Sequence, residues 1–359
     1  MPISAQDAIS PAFEHTKKQL LQPFRFSQWW RLGVVGWLAG ELGSSGGCNG
    51  NFNIPSTHRR EGSDQFLSLP WPTWPNQFSG HPWMIAGLIA FLVVAVIALA
   101  VLFTYIGSVM RFILFDSIVS KECHIRRGWT RRRREGRMLF VWQITLMLLG
   151  IVAFIVLIGI PAAFAWGLGW FTHPGHHILP LVLGGIVLFL ETIVLIVGFT
   201  VVHVFTKDFV VPQMALENIT AFEGWRHLWL WVKAEKIGYV GYIGMKIVLA
   251  IGASIAVTIV SLILILIMLV PIGGAGAAIY LAAKSAGATW NVQTITLAIA
   301  AAAIVLVIFM FAISQITVPV IVFFPAYSIY FLAARYPPLA AQLWPPLPTS
   351  FAPVEPGLT

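Results

Sequence analysis

Five long runs of apolar residues constrain the fold of this chain more than any other feature of its sequence. Each reaches the roughly 20 residues that a helix needs to cross the hydrocarbon core of a bilayer. The runs occupy residues 83–110, 138–170, 178–205, 237–271 and 292–330. A sixth run, 29–42, is shorter and contains three glycines, so we expect it either to cross with help from flanking aromatic residues or to be re-entrant.

Composition and charge exclude an ordinary water-soluble protein. Hydrophobic residues make up 58% of the 359 residues, and charged residues only 10%. We therefore predict an all-α fold, a polytopic membrane helical bundle of about six transmembrane helices with amphipathic interfacial helices on its cytoplasmic side. The net charge of +8 collects at the flanks of the apolar runs, where it meets anionic lipid headgroups, and nucleic acid is not an expected partner.

The distribution of lysine and arginine predicts how the chain lies in the membrane, because cytoplasmic loops carry the excess of both residues. If the amino terminus is inside and all six runs cross, nineteen of the 22 basic residues are cytoplasmic and three are outside. If the first run does not cross, the tally falls to fifteen against seven. We therefore predict a prokaryotic cytoplasmic membrane protein with both termini in the cytoplasm.

Three polar stretches share a layout in which an amphipathic segment is followed by tryptophan, arginine and an apolar run. This layout divides residues 1–335, taken as a single membrane domain, into possible units 4–110, 116–205 and 208–330. Convergence explains the pattern equally well, because every membrane exit needs aromatic and basic anchors. Residues 336–359 contain seven prolines and are expected to form a disordered cytoplasmic tail.

The densest positive charge lies in residues 126–137, between the first two long runs. Such a stretch orients the protein, and its surplus arginines are candidates for holding anionic headgroups together with tryptophans at the same level. The candidate headgroup-binding residues are Arg126, Arg127, Trp129, Arg131, Arg132, Arg133, Arg134, Trp225 and Arg226. Membrane lipids are therefore the expected partners.

A single carboxylate, Glu191, lies near the middle of the apolar run 178–205 and is the candidate intramembrane polar site. Burial at that depth disfavours the charged form unless a partner compensates. The side chain either serves as a proton or cation site or holds two helices together through hydrogen bonds.

Histidines cluster in the turn between the second and third long runs, where His173, His176 and His177 are weak candidates for a zinc or copper site. No cysteine or carboxylate accompanies them in that turn, so we expect no metal. The chain also lacks a phosphate-binding loop, a zinc-protease motif and a nucleophile elbow. We therefore expect no catalytic residue and no cofactor.

Four patches of sequence carry a family resemblance. They are residues 21–32, residues 111–116, residues 208–212 with 223–226, and residues 324–325 with 335–336. In order and spacing they resemble a group of uncharacterised prokaryotic multipass proteins related to the membrane domain found with glycerophosphoryl diester phosphodiesterases. The catalytic barrel of those enzymes is absent here. The resemblance implies the fold and topology and hints at lipids or membrane-soluble substrates, but it transfers no catalytic residue.

Two functions remain open from the sequence. The first is the binding or transport of a lipid or small amphipathic solute, favoured by Glu191 and by the basic, tryptophan-rich cytoplasmic side. The alternative is a non-catalytic scaffold or assembly subunit that contacts a membrane-protein partner or further copies of itself. Small residues would allow the close helix contacts of a scaffold at Gly150, Gly184, Gly185, Gly252 and residues 300–303.

Overall fold

The computed structural model describes residues 4–41, 82–170, 178–285 and 292–344. Within these ranges all regular structure is helical, which confirms the all-α prediction. The helices are α1 (Ile9–Leu21), α2 (Phe26–Leu38), α3 (Pro82–Ser120), α4 (Ile125–Phe154), α5 (Ile160–Gly167), α6 (Ile178–Phe205), α7 (Val211–Glu217), α8 (Ala221–Ala234), α9 (Lys236–Ser285), α10 (Val292–Ile316), α11 (Val318–Ala333) and α12 (Pro337–Leu343). Two π-helical turns, Ile155–Gly159 and Thr206–Val210, join α4 to α5 and α6 to α7.

Five stretches of helix are long and apolar enough to cross a membrane by length and composition. They are Ala86–Ser120, Ile125–Gly167, Ile178–Glu217, Lys236–Val270 and Ile299–Ala333. Large apolar side chains such as Phe91, Leu149 and Phe189 are more than half exposed along these stretches. So much exposed apolar surface needs hydrocarbon around it, and the chain is therefore a membrane protein.

The sixth predicted run, 29–42, is not among the five long helices. Its helix α2 has 13 residues, about 20 Å of length against a hydrocarbon core of about 30 Å. The helix is followed by Gly40, whose φ of +78° costs little because glycine has no Cβ. Helix α2 alone is therefore too short for a full crossing, and residues 42–81 that follow Glu41 lie outside the described part of the chain.

Glycines explain how α2 packs so closely between α3 and α11. A Cβ added at Gly107 on α3 would come within 2.8 Å of the Leu38 carbonyl oxygen. A Cβ added at Gly36 would overlap the side chain of Ile321 on α11. Hydrogen at these positions is therefore what lets the three backbones approach each other.

Buried side chains concentrate at one end of the bundle, which we call the packed end. Its largest fully buried side chains include Phe112, Leu139, Phe209, Tyr242 and Phe331, which belong to different elements. The ring of Tyr242 lies 4.6 Å from that of Phe331 and 5.0 Å from that of Phe209, measured between centroids. The packed end is therefore where side chains from distant parts of the sequence meet.

Both described ends of the chain belong to the packed end. His15 of α1 contacts the Ile118 carbonyl oxygen through Nε2 at 3.0 Å and the Tyr330 hydroxyl through Nδ1 at 3.1 Å. Burial lowers the pKa of His15, which disfavours the charged form of the imidazole. Tyr336 donates a hydrogen bond of 2.5 Å to Glu217 of α7. These contacts tie α1, α7 and the carboxyl-terminal helices to the same region.

Two of the three predicted interfacial elements are separate helices, namely α1 and α8. Helix α8 begins with a capping box in which Thr220 and Glu223 satisfy each other's backbone N–H groups. The middle element is different, because residues 116–120 continue α3 and residues 125–129 already belong to α4. Only a short turn separates these two long helices.

The carboxyl-terminal tail begins with a short helix rather than a disordered segment. Helix α12 starts at Pro337, where proline is compatible with a helix because the first N–H groups have no partner inside the helix. Leu339 of this helix is fully buried. The prediction of disorder was thus wrong for 337–343, while 345–359 lies outside the described residues.

Candidate functional site

The arginine stretch forms the first turns of α4, and most of it faces outward. We call the exposed side chains of this stretch the basic face. They belong to Arg126, Arg127, Arg131, Arg133, Arg134 and Arg137. Trp129 is half-buried and meets the ring of Tyr105 edge-on, with centroids 6.2 Å apart. Five of the six predicted arginines of 126–134 are thus available at the surface.

Arg132 is the exception and differs from the prediction. Its Nε and Nη2 atoms each donate a 2.7 Å hydrogen bond to the carboxylate of Asp116, and Nη1 donates one of 2.8 Å to the Ala215 carbonyl oxygen. Glu135 lies 3.6 Å away on the same helix. The guanidinium is buried and its donors are used inside the protein, so Arg132 is not part of the headgroup surface.

A groove separates the basic face from the start of α8. Arg134 and Arg137 lie at its α4 wall, and Thr220 and Phe222 lie at its α8 wall. Its volume is about 580 Å³, and its remaining lining is largely apolar. The backbone N–H and hydroxyl of Thr220 lower the pKa of Glu223, so this carboxylate is ionised and occupied by the capping box. Cations and apolar side chains therefore meet at the mouth of one groove.

The two predicted residues on α8 differ in position. Trp225 packs inward, with its Nε1 atom donating a 3.0 Å hydrogen bond to the Thr206 hydroxyl and its ring stacked on Phe205. Arg226, the next residue, is exposed. Trp225 thus stabilises the contact of α8 with the π turn, and of the pair only Arg226 is accessible to a headgroup.

A second polar cluster lies deeper, where α2, α3, α6 and α9 approach each other. Lys207 forms an ion pair with Glu41, which follows α2, and Asp208 forms one with Lys246 of α9. The Tyr242 hydroxyl donates a further hydrogen bond of 2.9 Å to Asp208. All four charged side chains are buried. We call these residues, together with Arg111, the charge cluster.

The π turn Thr206–Val210 places Lys207 and Asp208 in this cluster. Pro212 occupies the first turn of α7 and lacks an N–H group, and its ring would clash with the carbonyl oxygen four residues earlier in a regular helix. A π turn relieves this conflict, and such turns recur at functional sites. The local sequence therefore explains why the helix departs from α geometry where the two charges lie.

Arg111 completes the cluster. Its Nε atom donates a 2.9 Å hydrogen bond to the Ala39 carbonyl oxygen, and its Nη2 atom lies 3.2 Å from Nε2 of His203. Its buried Nη1 atom has no hydrogen-bond partner in the described structure. A small cavity of about 30 Å³ beside Arg111 and Asp208 has room for a water molecule.

Glu191 lines a groove of about 530 Å³ between α4 and α6 that is otherwise apolar. A neighbouring groove of about 580 Å³ is lined by Arg111 and His203. Leu146 and Phe199 line both grooves, and the Phe199 ring packs against Gly150 of α4. Within the described part of the chain, Glu191 has no hydrogen bond or ion pair.

The remaining predicted site residues fall outside what the structure describes. His173, His176 and His177 lie in the undescribed range 171–177. Among the described residues, no group of three or more histidine, cysteine, aspartate or glutamate side chains could hold a metal ion. Sequence reasoning did not single out Glu41, Arg111 or Lys207 as a site. Each is a charged residue beside a long apolar run, which is the signal that could have found them.

Comparisons with known proteins give a family but no activity. No curated protein and no solved structure is detectably similar to the chain. Nothing links it to the membrane domain of glycerophosphoryl diester phosphodiesterases, so that part of the expected resemblance has no support. The model of one family of unknown function, DUF7544, matches residues 3–341, which is nearly the whole chain. Its described residues include five helices long and apolar enough to cross a membrane, and the protein is a member of the DUF7544 family, a family of unknown function.

Proposed function

We propose that this protein binds membrane lipids through anionic headgroups held at the basic face. The observation that carries the proposal is the exposure of six arginines within the first turns of α4, beside a groove whose lining is largely apolar. Guanidinium groups match phosphate oxygens in charge and geometry. An apolar groove next to them accommodates the acyl chains of the same lipid.

The charge of the basic face supports this proposal. The one carboxylate in the stretch, Glu135, is buried beside Arg132, so it does not neutralise the exposed arginines. Each basic residue near an anionic surface contributes about 1 kcal/mol of attraction. Six exposed arginines provide far more attraction than is needed to orient one pair of helices.

We further propose that the packed end lies on the cytoplasmic side of a prokaryotic cytoplasmic membrane, with both termini inside. The contacts of His15 with Ile118 and Tyr330 support this, because they bring α1 to the end where α3 and α11 finish. The basic residues of 1–32 then lie on the same side as the arginine stretch. That arrangement agrees with the stronger of the two charge tallies, nineteen against three.

Native mass spectrometry tests the lipid proposal. The purified protein is mixed with equal amounts of phosphatidylglycerol and phosphatidylcholine, and we expect it to retain the anionic lipid preferentially. Replacing Arg133 and Arg134 with glutamine removes two exposed charges and lowers retention by up to about thirtyfold, if each contributes about 1 kcal/mol. Replacing the exposed Lys17 and Lys236 with glutamine is the matched control, with a smaller effect.

Two results would contradict the proposal. One is equal retention of both lipids by the wild-type protein, and the other is an equal loss in the arginine and lysine variants. A stoichiometric protein partner in place of lipid would support the scaffold alternative. Of the small residues on which that alternative rests, Gly150 already packs against Phe199 within the chain, whereas Gly184, Gly185 and Gly252 have no atom within 4 Å of an added Cβ.

A further inference from the structure

We infer that the groove lined by Glu191 is a binding site for a bulky organic cation whose positive charge is spread over or shielded by carbon groups. We call it the Glu191 groove; its walls come from α4, the π turn Ile155–Gly159 and α6. The site shares no residue with the basic face and stands if the headgroup proposal fails. The ligand class includes phosphonium and quaternary ammonium ions that carry aromatic or alkyl groups.

The position of Glu191 on α6 turns its side chain toward the bundle rather than toward the bilayer. Glu191, Leu195 and Phe199 recur every four residues, line the groove and are half-buried. Ile193 and Val197, on the opposite side of the helix, are exposed. The carboxyl group therefore faces the groove, where a ligand can reach it.

Glu191 is the only charged residue among the described residues that line the groove. It forms no hydrogen bond or ion pair with any described residue. An ionised carboxylate near the middle of a membrane-spanning helix is costly without a partner. Protonation removes the charge, but no other polar side chain of this lining can then accept a hydrogen bond from the O–H group. A bound cation supplies the missing charge.

The lining determines which kind of cation fits. A primary ammonium group has three N–H donors, and Glu191 is the only side-chain acceptor among the described lining residues. A quaternary ammonium or phosphonium ion has no such donor, so apolar walls can surround it without leaving a polar group unsatisfied. Phe199 also supplies an aromatic ring, and the faces of such rings attract quaternary cations.

The size of the groove indicates the size of the ligand. Its volume of about 530 Å³ is typical of pockets that hold drug-sized molecules. At Gly198, seven residues beyond Glu191 on the same face of α6, an added Cβ meets no atom within 4 Å. The groove thus has open space about 10 Å along the helix from the carboxylate. Val194 in its wall is 70% exposed, so a lipophilic ligand can enter from the hydrocarbon.

Probes that differ in charge or in bulk test this inference. Purified protein in an uncharged detergent is dialysed to equilibrium against the cation tetraphenylphosphonium, the neutral triphenylphosphine oxide or the small cation tetramethylammonium. We expect tetraphenylphosphonium to bind at least about tenfold more tightly than either of the others, because only this probe combines charge with apolar bulk. The net charge of +8 repels cations, so the overall charge of the protein cannot cause this preference.

Glu191→Gln tests the role of the carboxylate. Glutamine keeps the size of the side chain, and the substitution breaks no hydrogen bond or ion pair of the described structure. We expect Glu191→Gln to lower tetraphenylphosphonium binding at least about tenfold and to leave triphenylphosphine oxide binding unchanged. Glu191→Asp keeps the charge and should retain the preference for the cation.

Steric variants test the location without disturbing the charge. Gly198 lines the groove and has open space in front of it, so Gly198→Leu projects into the groove without a clash. Gly185→Leu is the matched control, since Gly185 lies on the same helix, is equally open and does not line the groove. We expect Gly198→Leu to lose at least about tenfold in tetraphenylphosphonium binding and Gly185→Leu to bind like the wild type.

Three binding results would overturn the inference. They are equal binding of tetraphenylphosphonium and triphenylphosphine oxide by the wild type, unchanged cation binding by Glu191→Gln, and equal cation binding by the two glycine variants. A dimer in light scattering that Glu191→Gln dissociates would also overturn it, because a second copy of the chain would then be the partner of Glu191. If a Glu191 variant fails to fold, the Gly198 and Gly185 pair still decides.

Discussion

Replacing Arg132 with glutamine should destabilise the protein far more than the same change at the adjacent Arg133. Arg132 is buried and makes two 2.7 Å hydrogen bonds to Asp116 and one of 2.8 Å to the Ala215 carbonyl oxygen. Glutamine can replace one of these bonds and leaves both Asp116 and Glu135 without a cation. Arg133 is exposed, so its loss removes no such contact.

The magnitude follows from the environment of the ion pair. Removing one partner of a buried pair costs about 3–5 kcal/mol. The Asp116 side chain is 27% exposed, so water compensates part of the loss, and we expect about 2–4 kcal/mol for Arg132→Gln. An exposed substitution such as Arg133→Gln should stay within about 0.5 kcal/mol.

Thermal unfolding in detergent, followed by size-exclusion chromatography of the remaining folded protein, measures the difference. At about 2 °C per kcal/mol, the Arg132 variant should lose about 4–8 °C in apparent Tm, and the Arg133 variant about 1 °C or less. A double variant with Asp116→Asn should lose less than the sum of the two single variants, because both single changes break the same pair. Equal shifts for Arg132 and Arg133 variants would refute the assignment of Arg132 to the interior.

Three further outcomes are expected. Burial lowers the pKa of His15 below 6.5, so the unfolded chain binds a proton more readily than the folded protein does. The stability that depends on His15 is therefore present above about pH 6.5 and is lost as the pH falls. The wild-type protein should lose apparent Tm between about pH 7.5 and 5.5, and this loss should be smaller in His15→Gln. Gly36→Ala should destabilise the folded protein by about 1–3 kcal/mol, and so lower the apparent Tm, because the added Cβ would overlap the Ile321 side chain. Gly252→Ala should leave the apparent Tm unchanged, because no atom lies within 4 Å of an added Cβ there. Thr220→Ala should cost about 1 kcal/mol in the same assay by removing the cap of α8; no change would mean that the capping box contributes nothing.

The sequence predicted the architecture well because a bilayer imposes its thickness on apolar runs. Long runs without charge have few alternatives to helix in hydrocarbon, so five long helices followed directly from length and composition. The close packing of α2 was harder to predict, because it depends on whether α3 and α11 leave room for a backbone at Gly36 and Gly107. Those contacts join residues that are far apart in the sequence.

The candidate site residues also differ in whether the local sequence alone could predict their environment. Exposed arginines could be predicted because exposure at a membrane surface needs no particular partner. The burial of Arg132 could have been inferred from spacing, since Arg132, Glu135, Gly136 and Leu139 lie three, four and seven residues apart on one face of α4, and all four are buried. The ion pair between Glu41 and Lys207 could not have been inferred from the sequence, because no local pattern indicates that two charges 166 positions apart are neighbours.

The π turn has a mechanical consequence that reaches beyond its own helix. Lys207 and Asp208 are consecutive residues, yet one is tied to the segment after α2 and the other to α9. A displacement of α2 that carried Glu41 along would pull on the backbone that also holds Asp208, and so on Lys246. Helices α2 and α9, which are remote in sequence, are thereby coupled through the single peptide unit between Lys207 and Asp208. A movement of either helix along the membrane normal would strain the ion pair that holds the other.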